Sequence, residues 1–94
     1  MIKKILLEKT IQNNYLVKYY LCEEKSSSRN KILFGIAIEL YSEDRKLKTC
    51  ESISRITESQ ETALNMINLM AEKNVTPNSL FYVVDKIYNI VSKN

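Results

Sequence analysis

Residues 31–41 read KILFGIAIELY, and this stretch decides the fold class. Large apolar residues alternate along it with smaller or polar ones, which is the two-residue period of a β-strand that has one face on a core. Gly35, the single glycine of the chain, falls on the second face. We therefore predict a strand over 31–41 whose core-facing residues are Ile32, Phe34, Ile36, Ile38 and Leu40.

Other segments of strand character place this strand within a sheet. Asn13-Asn14 is a turn signal, and the polar, serine-rich stretch 23–30 is predicted to be the most mobile loop. The stretch 15–22 is partly apolar on both faces, whereas Ile5-Leu6-Leu7 interrupts the alternation of the first strand. The further strands are expected at about 2–11, 15–22 and 46–53.

A tight turn over residues 42–45 would join the strand at 31–41 to the next one. If this turn centres on Glu43-Asp44, Glu39 lies opposite Lys48 and Glu51 falls beside Ile36 on the core face. A carboxylate on that face is a conflict, so we expect a bulge or an edge position there. The same register predicts two apolar pairs, Leu40 with Leu47 and Phe34 with Ile53.

After Ser54 the hydrophobic period becomes that of helices. Ser59 or Thr57 suits the N-cap of a helix over 58–73, and Pro77 suits the first turn of a second helix over 77–92. Apolar stripes at helical spacing support both helices. Four residues of these stripes are expected to be buried: Ile67, Met70, Val84 and Ile87.

The order of these segments defines the fold class. Strands that precede helices indicate an α+β domain rather than alternating βαβ units. The short link between the two helices makes them antiparallel neighbours. We predict a single domain over 1–94, in which an antiparallel β-meander of three to four strands is followed by an antiparallel helical hairpin packed on one sheet face.

Composition excludes several classes of function. The 94 residues include 45% hydrophobic residues, no histidine and one glycine. Histidine is the commonest general base and metal ligand, and phosphate-binding loops need several glycines. Two cysteines alone do not complete a zinc site. We therefore expect no metal and no cofactor.

The positive charge is concentrated in the first part of the chain. The net charge is +3, and residues 1–56 carry 11 basic against 7 acidic residues, a balance of +4.

The apolar runs and the two cysteines suggest a compartment. No stretch resembles a secretory signal, and none approaches the ~20 apolar residues of a membrane span. We expect a cytoplasmic protein without membrane contact, in which Cys22 and Cys50 stay reduced and unbridged.

Catalysis is not the expected function, and an enzyme with an unrecognised site is kept only as the third hypothesis. Without histidine, the usual serine and cysteine triads cannot form, and a Ser-Lys pair has no supporting motif. Glu58 and Glu61 share one helix face, where carboxylates typically complement the helix dipole. Met66 and Met70 are interpreted as core residues, with an adaptable groove as the alternative.

Tyrosine and the small residues of the second sheet face suggest two binding functions. Six of the eight aromatic residues are tyrosine, and several lie beside lysines on strands, where they could stack nucleic-acid bases. The low arginine content favours the other hypothesis, a non-catalytic protein-interaction or regulatory module that docks a partner or self-associates. Its interaction surface would comprise Leu16, Lys18, Tyr20, Gly35, Ala37, Cys50 and Ser52.

The sequence also resembles a known family. Phe34-Gly35-Ile36-Ala37, Ile53-Ser54 with Thr57, and the stretch from Val75 to Leu80 occur together, before a tail at Val83-Val84-Asp85. This combination resembles the domain of unknown function 6514 family of small clostridial proteins over about residues 15–88. The resemblance implies a stand-alone cytoplasmic bacterial protein and assigns no site residues.

Overall fold

The structure, a computed structural model, describes residues 1–28 and 30–93. Four strands form one antiparallel sheet in the order of the chain, and two helices follow them. The predicted α+β meander is therefore confirmed, with all four strands present. The elements are β1 (Ile2–Thr10), β2 (Leu16–Ser26), β3 (Lys31–Tyr41), β4 (Leu47–Thr57), α1 (Gln60–Glu72) and α2 (Leu80–Ser92).

Two strands run further than their side chains suggest. β2 continues to Ser26, which pairs with Lys31, although the polar side chains from residue 23 onward predict a mobile loop. β4 continues to Thr57, which pairs with Phe34. Backbone pairing with β3 is what extends them, because a ladder bond forms with any side chain. Of the predicted loop only 27–30 is left, and Arg29 lies outside the described residues.

Both turns predicted from the sequence, at Asn13-Asn14 and at residues 42–45, are present. Asn13 and Asn14 adopt left-handed φ angles of 63° and 59° between β1 and β2, a conformation that asparagine tolerates well. Between β3 and β4, the backbone N–H of Arg45 donates to the Ser42 carbonyl at 2.9 Å, as expected for a turn centred on Glu43-Asp44. Arg45 itself is left-handed, which adds one residue to the connection.

The predicted register of this hairpin is wrong by two residues. Leu40 pairs with Thr49 rather than Leu47, and Glu39 pairs with Cys50 rather than Lys48. The left-handed Arg45 and a further irregularity between Leu40 and Tyr41 each add one residue to the β4 side. Two insertions restore the alternation from Thr49 to Ile53, but Leu47 pairs with Tyr41 and therefore lies on the outer face instead of facing the core beside Leu40.

Glu51, the carboxylate expected to conflict with the core face, stays in contact with water at the edge of the sheet. Glu51 pairs with Ile38 and is exposed, because β4 is an edge strand. A larger bulge follows, since Ile53 pairs with Ile36 while the next pair joins Thr57 to Phe34. Within this bulge Arg55 has a φ of 57°. Ile53 and Ile56, on either side of Arg55, both pack against the core.

Gly35 permits this bulge. A Cβ atom added at Gly35 would lie 2.8 Å from the Cα of Ser54 and would also collide with the carbonyl oxygen of Ile53. Because both contacts are with backbone, no side-chain rotation could relieve them. The backbone of β4 therefore crosses the outer face of β3 at its one glycine, and Gly35 is buried.

The core lies between the sheet and the helices. The inner faces of β2 and β3 supply its sheet half, and α1 supplies most of its helical half, as predicted for Met66 and Met70. Ser59 caps α1 by accepting the backbone N–H of Thr62 at 3.1 Å. The largest side chains that are fully buried are Val17, Tyr19, Leu21, Ile36, Ile38, Met66, Ile67, Met70 and Leu80.

Two side chains of the sheet hold the end of α1. The hydroxyl of Tyr19 donates to the carbonyl oxygen of Val75 at 2.7 Å, and burial raises the pKa of Tyr19 to about 12. Lys9 donates from Nζ to the carbonyl oxygen of Ala71 at 2.9 Å. The Ala71 carbonyl also accepts the backbone N–H of Asn74 at 3.1 Å, so Lys9 adds a second bond there. Both side chains bind carbonyl groups at or just beyond the helix C-terminus.

The second helix is less buried than its stripe predicts. Ile87 is 3% exposed, as expected, but Val84 is only half-buried, which corrects its assignment to the core. α2 packs chiefly on α1 and meets only the last part of the sheet, so both flanks of its apolar stripe face water. Phe81 and Ile90 are exposed on these flanks.

The close approach at Gly35 makes a testable prediction. Gly35→Ala should lower the free energy of unfolding by about 1–3 kcal/mol, because the methyl group must push the β4 backbone outward. Chemical denaturation followed by circular dichroism measures this loss. The control is Ser52→Ala on the exposed outer face of β4, where a change within about 0.5 kcal/mol is expected. Equal stabilities for wild type and Gly35→Ala would show that β4 does not close on Gly35.

Candidate functional site

The outer face of the sheet, opposite the helices, carries a connected group of charged and aromatic side chains. Glu39 of β3 is at its centre, and Lys18 of β2 lies directly opposite. Tyr41 is two residues along on the same face, and Tyr20 pairs with Ala37. Lys3 reaches the group from β1, where it pairs with Cys22. We call the group formed by Lys3, Lys18, Tyr20, Glu39 and Tyr41 the Glu39 network.

Glu39 accepts hydrogen bonds from three side chains. The hydroxyls of Tyr20 and Tyr41 donate to Oε1 at 2.5 Å and 2.7 Å, and Nζ of Lys3 donates to Oε2 at 2.8 Å. The two ammonium groups also cover the rings. Nζ of Lys3 lies 4.3 Å from the centre of the Tyr20 ring, and Nζ of Lys18 lies 4.7 Å from that of Tyr41. These are cation–π distances.

The network keeps its acid ionised and its phenols neutral. Partial burial would raise the pKa of Glu39, but the hydrogen bonds from Lys3, Tyr20 and Tyr41 outweigh it and lower the pKa to about 2. Burial and the bond to Glu39 raise the pKa of Tyr20, and the bond to Glu39 raises that of Tyr41. A carboxylate held in this way is a weak base, so the geometry suits a fixed structural anion rather than acid–base chemistry.

The structure brings together only part of the interaction surface predicted from the sequence. Lys18 and Tyr20 belong to the Glu39 network, and Cys50 and Ser52 are exposed beside it on β4. The remaining residues do not form the flat open face that was expected. Gly35 is buried under the β4 backbone, Ala37 is only 4% exposed, and Leu16 is half-buried opposite Tyr41 at the start of β2.

Other residues weighed for chemistry have ordinary surroundings. Glu58 forms an exposed ion pair with Lys31 at 3.1 Å, and Glu61 is exposed in the first turn of α1. Cys22 and Cys50 are both free thiols, and burial raises the pKa of Cys22. Over residues 1–28 and 30–93, no group of three or more acidic or cysteine side chains is placed to bind a metal ion. No helix in the same ranges is long and apolar enough to cross a membrane.

A second feature was missed by the sequence reasoning. Four apolar residues at the start of the chain, Met1, Ile2, Ile5 and Leu6, are 79%, 55%, 50% and 39% exposed. We call them the β1 edge, since β1 is the first strand of the sheet. Ile32 of β3, 49% exposed, joins Met1 and Ile2 in lining a shallow cleft of about 290 Å³.

The irregular pattern of β1 was the signal for this feature. The run Ile5-Leu6-Leu7 reflects a bulge, since Ile5 pairs with Tyr20 while Leu7 pairs with Tyr19. Leu6 is the extra residue, has no partner on β2 and is exposed. An apolar run that breaks the alternation of an edge strand therefore indicated exposed apolar surface.

The pKa of Glu39 predicts a pH dependence of stability. Because this pKa is about 2 in the folded protein and ordinarily 4.5, the ionised group stabilises the fold fully above about pH 5. The contribution is lost as the pH falls toward 2. Glu39→Gln should therefore cost about 1–2 kcal/mol at pH 6, after allowance for solvent screening, and much less at pH 2.

Urea denaturation at several pH values measures this difference. Glu51→Gln on β4 is the matched control, since Glu51 is an exposed carboxylate outside the Glu39 network. A stability difference between wild type and Glu39→Gln that stays constant from pH 6 to pH 2 would contradict the assignment.

The comparisons with known proteins identify the family. A family model described as a family of unknown function, DUF6514, matches residues 1–89 of the 94. The search of curated proteins and the search of solved structures each gave no match. The match covers nearly all of the sheet and the helices, and it agrees with the resemblance in the motifs around Gly35, Thr57 and Pro77. The chain belongs to the DUF6514 family.

Proposed function

We propose that this protein is a non-catalytic protein-interaction module and that the β1 edge is its docking surface. The observation that carries the proposal is the exposure of three apolar residues of one edge strand and of Met1 just before it, with Ile2 and Ile5 at least half exposed. Ile2 lies on the inner face of the sheet and Ile5 on the outer face, so exposed apolar side chains flank the free edge of the strand on both sides. Exposed apolar surface of this kind is typical of interaction sites. An edge strand adds a row of unpaired backbone donors and acceptors, which an incoming strand can use.

The location of this surface follows from how the helices cover the sheet. α1 packs over β2, β3 and β4, and α2 meets β4, while the first half of β1 lies beyond both helices. The inner face of β1 is covered only from Leu7 onward, where Leu7 packs against the core and Lys9 bonds to α1. The residues before Leu7 are left without a helical layer, so their burial depends on another molecule.

The Glu39 network favours the β1 edge over the centre of the outer face as the docking site. Its carboxylate, phenols and ammonium groups already bind one another, so a partner that separated them would lose those bonds. The small residues beneath, Gly35 and Ala37, are out of reach of a partner. Docking at the edge leaves the network intact and removes exposed apolar area from water, which contributes about 25 cal/mol per Å².

The alternative function, nucleic-acid binding through tyrosine and lysine, receives less support from the same contacts. Lys3 and Lys18 each lie over a tyrosine ring, so one ring face is already covered by an ammonium group. A stacking base would have to displace that group or use the other face. Lys3 is further held by Glu39, whose negative charge would repel a phosphate.

Site-specific photo-crosslinking in cells tests the docking surface. A photoreactive amino acid at Ile5 should give crosslinked protein adducts, because a partner would lie directly on this side chain. The matched control is the same amino acid at Tyr82 of α2, which is 87% exposed and far from β1 in the fold. Adducts at Ile5 in clear excess over those at Tyr82 would support the proposal. Equal yields, or none at Ile5, would refute it.

A further inference from the structure

We infer that the occupant of the β1 edge is a second copy of this chain, whose own β1 pairs antiparallel to the first across a twofold axis. This inference rests on the proposed function and names the partner of that surface. A contact between two copies of the same strand across a twofold axis is isologous. If one residue of the first copy contacts a second residue of the other copy, the reverse contact is also made. Pairing two edges would join two four-stranded sheets into one of eight strands.

The bulge at Leu6 limits how two β1 strands can align. Before the bulge, Lys3 and Ile5 lie on the outer face, opposite Cys22 and Tyr20. After it, Glu8 lies on that face opposite Lys18. In an antiparallel pair, residues directly opposite one another share a face. Odd-numbered residues before the bulge must therefore meet even-numbered residues after it, which leaves two registers that pair most of the strand.

The charges of β1 distinguish these two registers. In the first, Lys3 lies opposite Glu8 of the second copy, and the twofold axis passes between Ile5 and Leu6. The contact then has an apolar centre with one Lys3–Glu8 ion pair on each side. In the second register, Lys4 of each copy lies opposite Lys9 of the other copy. Like charges directly opposite one another destabilise a sheet, so the first register is preferred.

The groups that this register needs are accessible. Glu8 is exposed, and the side chain of Lys3 is 41% exposed. Lys3 donates one hydrogen bond to Glu39, and an ammonium group has three N–H donors, so it can also reach Glu8 of the second copy. The Glu39 network would then extend across the dimer rather than be broken by it.

The other edge of the sheet fits a second copy less well. Over the described ranges, Leu47 is the one large apolar side chain of β4 that is exposed, whereas β1 has three. The bulge around Arg55 also bends the last part of β4 away from a straight ladder. A contact confined to β1 is small for a protein interface, so we expect a reversible dimer that depends on concentration.

Charge reversal at Glu8 tests the register. Glu8→Lys replaces both ion pairs by pairs of ammonium groups, because the new side chain in each copy faces Lys3 of the other. The dimer dissociation constant should rise at least about 10-fold. Glu51→Lys is the matched control, because it makes the same change on an exposed residue of the opposite edge. Sedimentation equilibrium from about 5 to 500 µM measures all three proteins, since dimerisation follows mass action. Circular dichroism confirms that each variant is folded.

Each outcome decides the inference. Dimerisation of the wild type that Glu8→Lys weakens and Glu51→Lys leaves unchanged would support it. A wild type that stays monomeric, or a dimer that responds equally to both variants, would overturn it. If the wild type is monomeric while Ile5 crosslinks to a different protein, the inference fails and the proposed function stands. If Ile5 crosslinks to nothing, the proposed function fails as well.

Discussion

The packing of β4 depends on the close approach of its backbone to Gly35. A bulged edge strand normally leaves its sheet, because the extra residues move its backbone away from the neighbouring ladder. Here the bulge closes over a position that has no side chain, so pairing resumes at Thr57. As a result, Ile53 and Ile56 both face the core, and the chain leaves the sheet where Ser59 can cap α1. The absence of a Cβ atom at Gly35 thus allows the connection from β4 to α1.

The sheet has two faces, and the protein covers them by different means. The inner face is buried by α1 and part of α2, with the hydroxyl of Tyr19 bonded to the Val75 carbonyl as a buried polar link. The outer face has no helical layer and is covered by its own long side chains. Tyrosine rings and lysine stems shield Ala37 and Cys22, while Glu39 binds their polar ends. A small chain can shield a second sheet face in this way without a second layer.

Neither the helices nor the Glu39 network covers the apolar side chains at the beginning of β1. This segment lies outside the helical layer and at the border of the Glu39 network, so the apolar side chains of the β1 edge stay in water. The strand also carries features that discourage uncontrolled pairing, namely a bulge and four charged residues. In the dimer that we propose, these features would restrict the registers open to the second β1, and the order of the charges would select among them. The β1 edge therefore combines exposed apolar surface with a defined preference in alignment.

The sequence by itself determined the elements, their order and the face of most side chains. Alternation in 31–41, the asparagine turn and the cap at Ser59 are local signals, so nearby residues were enough to read them. The hairpin register, the burial of Gly35 and the partial exposure of Val84 were decided only by tertiary structure. The hairpin register depends on the left-handed backbone of Arg45, which no glycine or asparagine signals in the sequence. The burial of Gly35 depends on the β4 bulge, and the exposure of Val84 depends on how much of α2 is covered by α1, so both depend on residues distant in sequence. Ala37, which the sequence placed on an open face, is buried for a similar reason, because its shielding depends on side chains that come from three strands.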